Sequence, residues 1–215
     1  MGIFLLSETN QLDTSLKRVL VDTITERGNR IAYISSTPQN SDREYFAVTV
    51  QDYQNINSSI QLDYFDLSDD FDNESLQNLS SYGVIHLSGG NTYIFLEALR
   101  RRNMKHIFQS HIKNNGLIIG VSAGAIALTP HIGTSELCGD INIPVLKELD
   151  GMSLVDFCFV PHLGSIFDSS EENIAQAHEY AATVGKVLYL VRDQDGIYVD
   201  ENQLIFYGDI LKFTP

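Results

Sequence analysis

A pentapeptide in the middle of the chain, Gly120-Val121-Ser122-Ala123-Gly124, limits the folds that this sequence can adopt. It directly follows the apolar run Leu117-Ile118-Ile119, as in a nucleophile elbow, where a buried strand turns sharply into a helix and presents a serine hydroxyl. A side chain at position 120 or 124 would obstruct the tight turn or the close approach of the following helix. The pattern therefore predicts a strand, a turn and a helix, with Ser122 as a candidate nucleophile.

Strand-like and helix-like patterns alternate through the first two-thirds of the chain. Apolar runs predict strands over residues 2–7, 30–35, 60–65, 83–87 and 117–121. Helical spacing of apolar residues predicts helices over 12–27, from a cap at Ser41 or Asp42 to about Tyr53, after Asn91, and over 104–115. Nearly continuous apolar strands between helices indicate an α/β fold with a doubly wound, mainly parallel sheet that helices cover on both faces.

The pattern changes beyond about residue 152. One predicted helix at 169–183 is followed by short predicted strands at 187–190, 196–199, 203–207 and 210–213. Turn residues separate these strands, which predicts antiparallel strands added to the edge of the sheet. The sequence contains no repeat, low-complexity tract or interdomain linker, so a single domain over residues 1–215 is the simplest prediction.

The charge and the cysteine content exclude several classes of protein. The chain has 14 basic and 28 acidic residues, a formal net charge of −14 that repels phosphate backbones and anionic lipid. We therefore expect neither a nucleic-acid partner nor a membrane partner, and the apolar start without a basic segment predicts a first strand rather than a signal peptide. Cys138 and Cys158 form no CxxC pair, which favours a reduced, cytoplasmic setting.

A serine nucleophile needs a base that accepts its proton. Functional groups of a doubly wound sheet collect at the carboxyl ends of the strands, and His162 follows the apolar run 157–160 at such an end. His131 lies in a loop and is the alternative base. The remaining histidines are predicted to have no such role: His106, His111 and His178 on helix surfaces, and His86 in the core.

The base usually needs an acidic partner that orients it. Asp193 and Asp195 follow the predicted strand 187–190, and from the residues alone either could serve, or both could belong to a solvated hairpin turn. Backbone N–H groups of Ala123 and Gly90 are the candidate donors of an oxyanion hole.

Several motifs occur together in one order along the chain: Ser88-Gly89-Gly90-Asn91-Thr92-Tyr93, Gly120-Val121-Ser122-Ala123-Gly124-Ala125, Gly139-Asp140-Ile141-Asn142-Ile143-Pro144, Pro161-His162 and Asp195-Gly196. In order and approximate spacing they resemble the serine peptidase family that contains peptidase E (aspartyl dipeptidase) and cyanophycinase. That family is related in fold to class I glutamine amidotransferases and has a serine where those enzymes have a cysteine. The resemblance covers most of the chain and implies a flavodoxin-like, amidotransferase-like sheet.

The resemblance also implies roles for individual residues. Ser122 corresponds to the nucleophile and His162 to the general base. The acid of the family precedes a Gly or Asn in a late turn, which corresponds best to Asp195, with Asp193 as the alternative. Because the family acid is typically Glu and Asp195 is one methylene shorter, its loop is expected to lie closer to His162.

The glycine loop of the family supplies one oxyanion donor, which corresponds to Gly90, and Ala123 supplies the second. Other members of the matching motifs are candidate accessory residues of the site. They are Gly89, Asn91, Asp140 and Asp193.

One departure from the family pattern concerns the substrate. Peptidase E has an arginine after the histidine that is expected to hold the substrate aspartate, but segment 167–173 of this chain contains no basic residue. Its acidic residues are predicted to repel an aspartyl carboxylate. We therefore expect a serine peptidase that hydrolyses a different small peptide or amide.

Other functions remain compatible with these motifs. The same elbow suits an esterase or acyl transferase, or a pseudoenzyme that binds a small ligand, whereas serine in place of cysteine disfavours an amidotransferase subunit. No HExxH motif, cysteine pair or phosphate loop with lysine is present, so neither a metal nor an organic cofactor is predicted. The chain is expected to form homodimers.

Overall fold

The computed structural model describes residues 2–37, 43–201 and 203–215 and contains two β-sheets. The strands are β1 (Gly2–Leu6), β2 (Arg30–Ile34), β3 (Gln61–Phe65), β4 (Val84–Leu87), β5 (Leu117–Val121), β6 (Cys158–Val160), β7 (Leu188–Leu190), β8 (Gly196–Asp200), β9 (Gln203–Tyr207) and β10 (Leu211–Phe213). The helices are α1 (Thr14–Thr25), α2 (Glu44–Ile56), α3 (Asn73–Gln77), α4 (Thr92–Arg101), α5 (Met104–Lys113), α6 (Ala123–Ala127) and α7 (Glu171–Val184), with 3₁₀ turns at Asn78–Ser81 and Gly133–Cys138.

The larger sheet has seven strands in the order β3-β2-β4-β5-β1-β8-β9. The first five pair in parallel, and β8 and β9 pair antiparallel at one edge. Side chains of β1 alternate between two apolar cores, with Ile3 and Leu5 in one and Phe4 and Leu6 in the other. A sheet covered on both faces confirms the predicted α/β class.

The smaller sheet, in the order β10-β7-β6, corrects part of the prediction for the carboxyl-terminal strands. Only β8 and β9 extend the edge of the larger sheet. Strand β7 instead pairs in parallel with β6, with Val160 opposite Leu190, and β10 pairs antiparallel with β7. These three strands share a separate apolar core with α7, because each contributes buried side chains to one cluster.

The elbow has the steric basis that the sequence predicts. A Cβ at Gly120 would lie 2.8 Å from the backbone of Ala125, and one at Gly124 would lie 2.3 Å from the carbonyl oxygen of Leu87. Strand β5 ends at Val121, α6 begins at Ala123, and the intervening Ser122 has a φ of +50°. Glycines at both positions therefore allow α6 to pack against β4 and β5.

Two predictions about buried histidines have opposite outcomes. His86 lies in the core, as expected, where burial lowers its pKa to about 3 and its Nδ1 lies 3.0 Å from the Tyr53 hydroxyl. His111 was expected on a helix surface, and that prediction is wrong. Its ring packs beneath Gly116 and its Nε2 lies 3.1 Å from the carbonyl oxygen of Leu117.

Two further points concern the helices. The predicted cap at Ser41 or Asp42 lies outside the described residues, and the part of that helix within them is α2. Across the described ranges, every helix is too short or too polar to cross a bilayer.

We predict that Gly124→Ala destabilises the fold. The new methyl group would collide with the Leu87 carbonyl, which β4 holds in place, and overpacking of this kind costs about 1–3 kcal/mol of unfolding free energy. Gly139→Ala is the control, because no heavy atom lies within 4 Å of its added Cβ and only the cost of its φ of +83° applies. Urea unfolding measures the free energy of unfolding of both variants. Equal stability of Gly124→Ala and the wild type would contradict the steric account.

Candidate active site

Ser122 lies at the carboxyl end of β5, in the centre of the larger sheet. Its backbone N–H donates to the carbonyl oxygen of Leu6 at 2.9 Å, and its carbonyl oxygen accepts from the N–H of Ile126 at 3.0 Å. The side chain is partly exposed, and Oγ lies 2.8 Å from Nε2 of His162. The hydroxyl is therefore accessible and within hydrogen-bond distance of an imidazole.

His162 reaches Ser122 from the smaller sheet, in the turn that follows β6. Its φ is +64°, and its carbonyl oxygen accepts hydrogen bonds from the backbone N–H groups of Ser165, Ile166 and Phe167. The ring is largely buried. A closed turn thus holds the imidazole in one orientation, and of the two histidines that the sequence left open, His162 is the one beside Ser122. His131 instead contacts the Tyr180 hydroxyl, 2.7 Å from Nδ1.

Asp193 is the carboxylate that contacts His162, with Oδ1 2.8 Å from Nδ1. It follows β7, and because β6 and β7 are parallel neighbours, the segments after them lie side by side. Burial alone would raise the pKa of Asp193, but hydrogen bonds from Ser7, Ser165 and His162 outweigh it and leave that pKa below its usual value. The carboxylate is therefore ionised near neutral pH.

The expectation that Asp195 contacts His162 is corrected by the structure. The chain reverses between the two aspartates in a turn. The Asp195 N–H closes this turn by donating to the Arg192 carbonyl. Asp195 is buried, its Oδ2 accepts from the N–H of Asp209 at 3.2 Å, and its carboxylate packs against Gly208. It therefore stabilises the loop between β9 and β10.

Ser7 is a contact of this site that the sequence analysis missed. It is fully buried directly after β1, and its Oγ donates to Asp193 Oδ1 at 2.7 Å and accepts from the backbone N–H of His162 at 2.8 Å. The same oxygen lies 3.1 Å from His162 Nδ1. Its place at the carboxyl end of a parallel strand was the available signal, because such ends collect functional groups.

The glycine loop lies against Ser122, and a Cβ at Gly89 would be 3.6 Å from the Ser122 Cβ. The carbonyl oxygen of Gly89 accepts hydrogen bonds from the hydroxyls of Ser36, at 2.5 Å, and Ser88, at 3.0 Å. Because the carbonyl and the N–H of a trans peptide point in opposite directions, the N–H of Gly90 points away from these hydroxyls. Gly90 has a φ of +131°, which favours glycine.

Asn91 and Asp140 connect the start of α4 to the segment after the second 3₁₀ turn. Asn91 Oδ1 accepts from the Ile94 N–H at 3.0 Å, and its Nδ2 donates to the Ile141 carbonyl at 3.0 Å. Asp140 Oδ2 accepts from the Thr92 N–H at 2.8 Å. Both side chains line the same cavity as Ser122, and their contacts stabilise its wall.

The cavity over Ser122 has a volume of about 470 Å³ and an acidic lining. Glu8, Asp52 and Asp140 contribute carboxylates, and none of the described lining residues is a lysine or arginine. Burial raises the pKa of Glu8; the charge of His162 opposes this shift, and the carboxylates of Asp193 and Asp52 reinforce it. A cavity of this kind favours neutral or cationic ligands over anionic ones.

Two other features of the described residues limit the chemistry. Cys138 lines the cavity, but burial raises the pKa of its thiol to about 12, so the reactive thiolate is scarce. Within residues 2–37, 43–201 and 203–215, no three His, Cys, Asp or Glu side chains are grouped as metal ligands would be.

Comparison with known proteins finds peptidases, both by a family model and by individual relatives. The model of peptidase family S51 matches residues 3–207. Uncharacterized peptidases from Pasteurella multocida and Listeria innocua are each 34% identical to the chain, over 102 residues (47% of this chain, 49% of the relative) and 83 residues (38% and 40%). The chain thus spans about half the length of the curated relatives that it matches.

A crystal structure of a candidate peptidase E protein from Listeria monocytogenes EGD-e has a similar fold. Its TM-score is 0.74, and the alignment covers 95% of this chain and 96% of that one. The sequence identity is 19%, so the likeness concerns the fold alone.

We predict that Asp193→Asn and Asp195→Asn differ sharply in the reactivity of Ser122. An amide at position 193 would donate to Nδ1 and leave the imidazole proton on Nε2, which then cannot accept the proton of Ser122. Loss of the general base in this way lowers the rate on the order of 10³-fold or more. Asp195→Asn preserves an acceptor for Asp209 and touches neither Ser122 nor His162. The rate of labelling by a fluorophosphonate measures the reactivity of Ser122 in both variants. Equal slowing of the two would contradict the assignment of Asp193.

Proposed function

The chain belongs to peptidase family S51, and we propose that it is a serine peptidase that cleaves a small peptide or amide through an acyl-serine intermediate. The observation that carries this proposal is the continuous set of hydrogen bonds from Ser122 through His162 to Asp193. Nucleophile, base and orienting acid are the three groups that this chemistry requires.

In the first step Ser122 Oγ attacks the carbonyl carbon of the scissile amide while His162 Nε2 takes the hydroxyl proton. The tetrahedral intermediate then collapses, the C–N bond breaks, and Nε2 returns the proton to the leaving amine. Water attacks the acyl-serine with its proton going to Nε2, and the acid product leaves as Ser122 regains its proton. Asp193 stabilises the imidazolium that forms in each step, and its low pKa keeps it ionised.

Two backbone N–H groups suit the developing oxyanion. Ala123 is the first residue of α6, so its N–H has no partner within that helix. The hydroxyls of Ser36 and Ser88 bind the carbonyl of Gly89. The N–H of Gly90, in the same peptide, points to the opposite side. Donors fixed in this way stabilise the oxyanion without reorganisation, and each is worth on the order of 10²–10³ in turnover.

The lining of the cavity supports a narrower substrate class. An aspartyl side chain would place a fourth carboxylate among Glu8, Asp52 and Asp140, where like charges repel. The half-buried position of Glu8 reduces solvent screening of this repulsion. We therefore propose a substrate whose acyl residue is neutral or basic.

The first test compares the wild type and Ser122→Ala on a dipeptide library and on matched amide and ester substrates. We expect the wild type to cleave a subset of the amides and Ser122→Ala to lose that activity by several orders of magnitude. Thermal unfolding of both proteins controls for folding. Cleavage that survives the substitution would refute the mechanism, turnover of esters alone would indicate an esterase, and no turnover or fluorophosphonate labelling would indicate a ligand-binding pseudoenzyme.

The second test concerns the acyl residue. We expect kcat/KM for Asp-X dipeptides to lie at least about tenfold below that for Asn-X dipeptides, a difference of about 1.4 kcal/mol. Glu8→Gln should raise kcat/KM for Asp-X more than for Asn-X, and added salt should act in the same direction. Preference for Asp-X in the wild type would contradict the proposed selectivity while leaving the serine mechanism intact.

A further inference from the structure

The end of β1 contacts both halves of the site with two consecutive residues. The carbonyl oxygen of Leu6 accepts from the Ser122 N–H at 2.9 Å, and the hydroxyl of Ser7 bonds both His162 and Asp193. Ser122 belongs to the larger sheet, whereas His162 and Asp193 follow strands of the smaller one. One dipeptide therefore sets the distance between nucleophile and base.

Ser7 is itself held firmly. Strand β1 pairs with β5 on one side and β8 on the other, and Ser7 is fully buried directly after it. Its single hydroxyl proton goes to Asp193 Oδ1, because a carboxylate can only accept. Its oxygen accepts from the backbone N–H of His162 at 2.8 Å and lies 3.1 Å from Nδ1, whose single proton goes to Asp193. The hydroxyl therefore makes one hydrogen bond to each of the other two residues.

We propose that Ser7 is a positioning residue of the reaction, whose hydroxyl holds the His162 backbone and the Asp193 carboxylate in the one arrangement from which Nε2 reaches Ser122. The inference rests on the proposed serine mechanism. Ser7 acts through His162 and Asp193 and does not contact the reacting atoms. Without it, the N–H of a strained turn would lose its partner, and the carboxylate would lose a hydrogen bond of 2.7 Å.

The test compares kcat and KM of Ser7→Ala with those of the wild type, with kcat expressed per folded molecule. We expect this kcat to fall by about 10²-fold, as misplacement of a catalytic group does, while KM changes little. Ser7→Cys is the second variant, because it keeps a side chain of similar size but offers only a weak donor, and it should also lower kcat.

Ser35→Ala is the matched control. Ser35 is also a buried serine directly after a parallel strand, β2, and its hydroxyl donates to the Thr37 carbonyl, not to His162 or Asp193. A general loss of stability would lower the folded fraction of an alanine variant, which urea unfolding measures, without lowering kcat per folded molecule. A wild-type kcat per folded molecule in Ser7→Ala or Ser7→Cys, or an equal fall of this kcat in Ser35→Ala, would overturn the role of Ser7. Undiminished activity in Ser122→Ala would instead overturn the proposed function.

Discussion

The pairing of β6 with β7 is the constraint on which the candidate site depends. Parallel strands place the segments that follow them side by side, and these segments carry His162 and Asp193. The smaller sheet packs one apolar core with α7, and it also contributes Phe159 and Tyr189 to a core of the larger sheet. Polar contacts from the end of β1 add to this packing, so the site lies where the two sheets meet.

Backbone strain is present at two residues of the site. Ser122 and His162 both have positive φ values, +50° and +64°, that residues with a side chain rarely adopt, at a cost of about 1–3 kcal/mol each. Hydrogen bonds on either side of each residue keep these conformations in place. The two residues whose side chains must meet are thus both among the residues with a strained backbone.

Much of the fold and part of the site could be predicted from the sequence, for identifiable reasons. The alternation of strands and helices follows from local apolar patterns, and Ser122 and His162 follow from a motif and from the rule for strand ends. The choice between Asp193 and Asp195 could not be predicted. In an extended segment, side chains two residues apart point to the same side, and the two aspartates point differently only because a turn hydrogen bond forms between Asp195 and Arg192. The buried position of His111 likewise depends on a contact with Leu117 that helical spacing does not contain.

The acidic lining of the cavity also bears on what happens after bond cleavage. Hydrolysis of an amide turns a neutral carbonyl group into a carboxylate beside Ser122, in a space already shared by Glu8, Asp52 and Asp140. The field that tolerates the uncharged reactant repels the anion formed from it. Under the proposed mechanism, electrostatics would thus expel the acyl product and limit its rebinding.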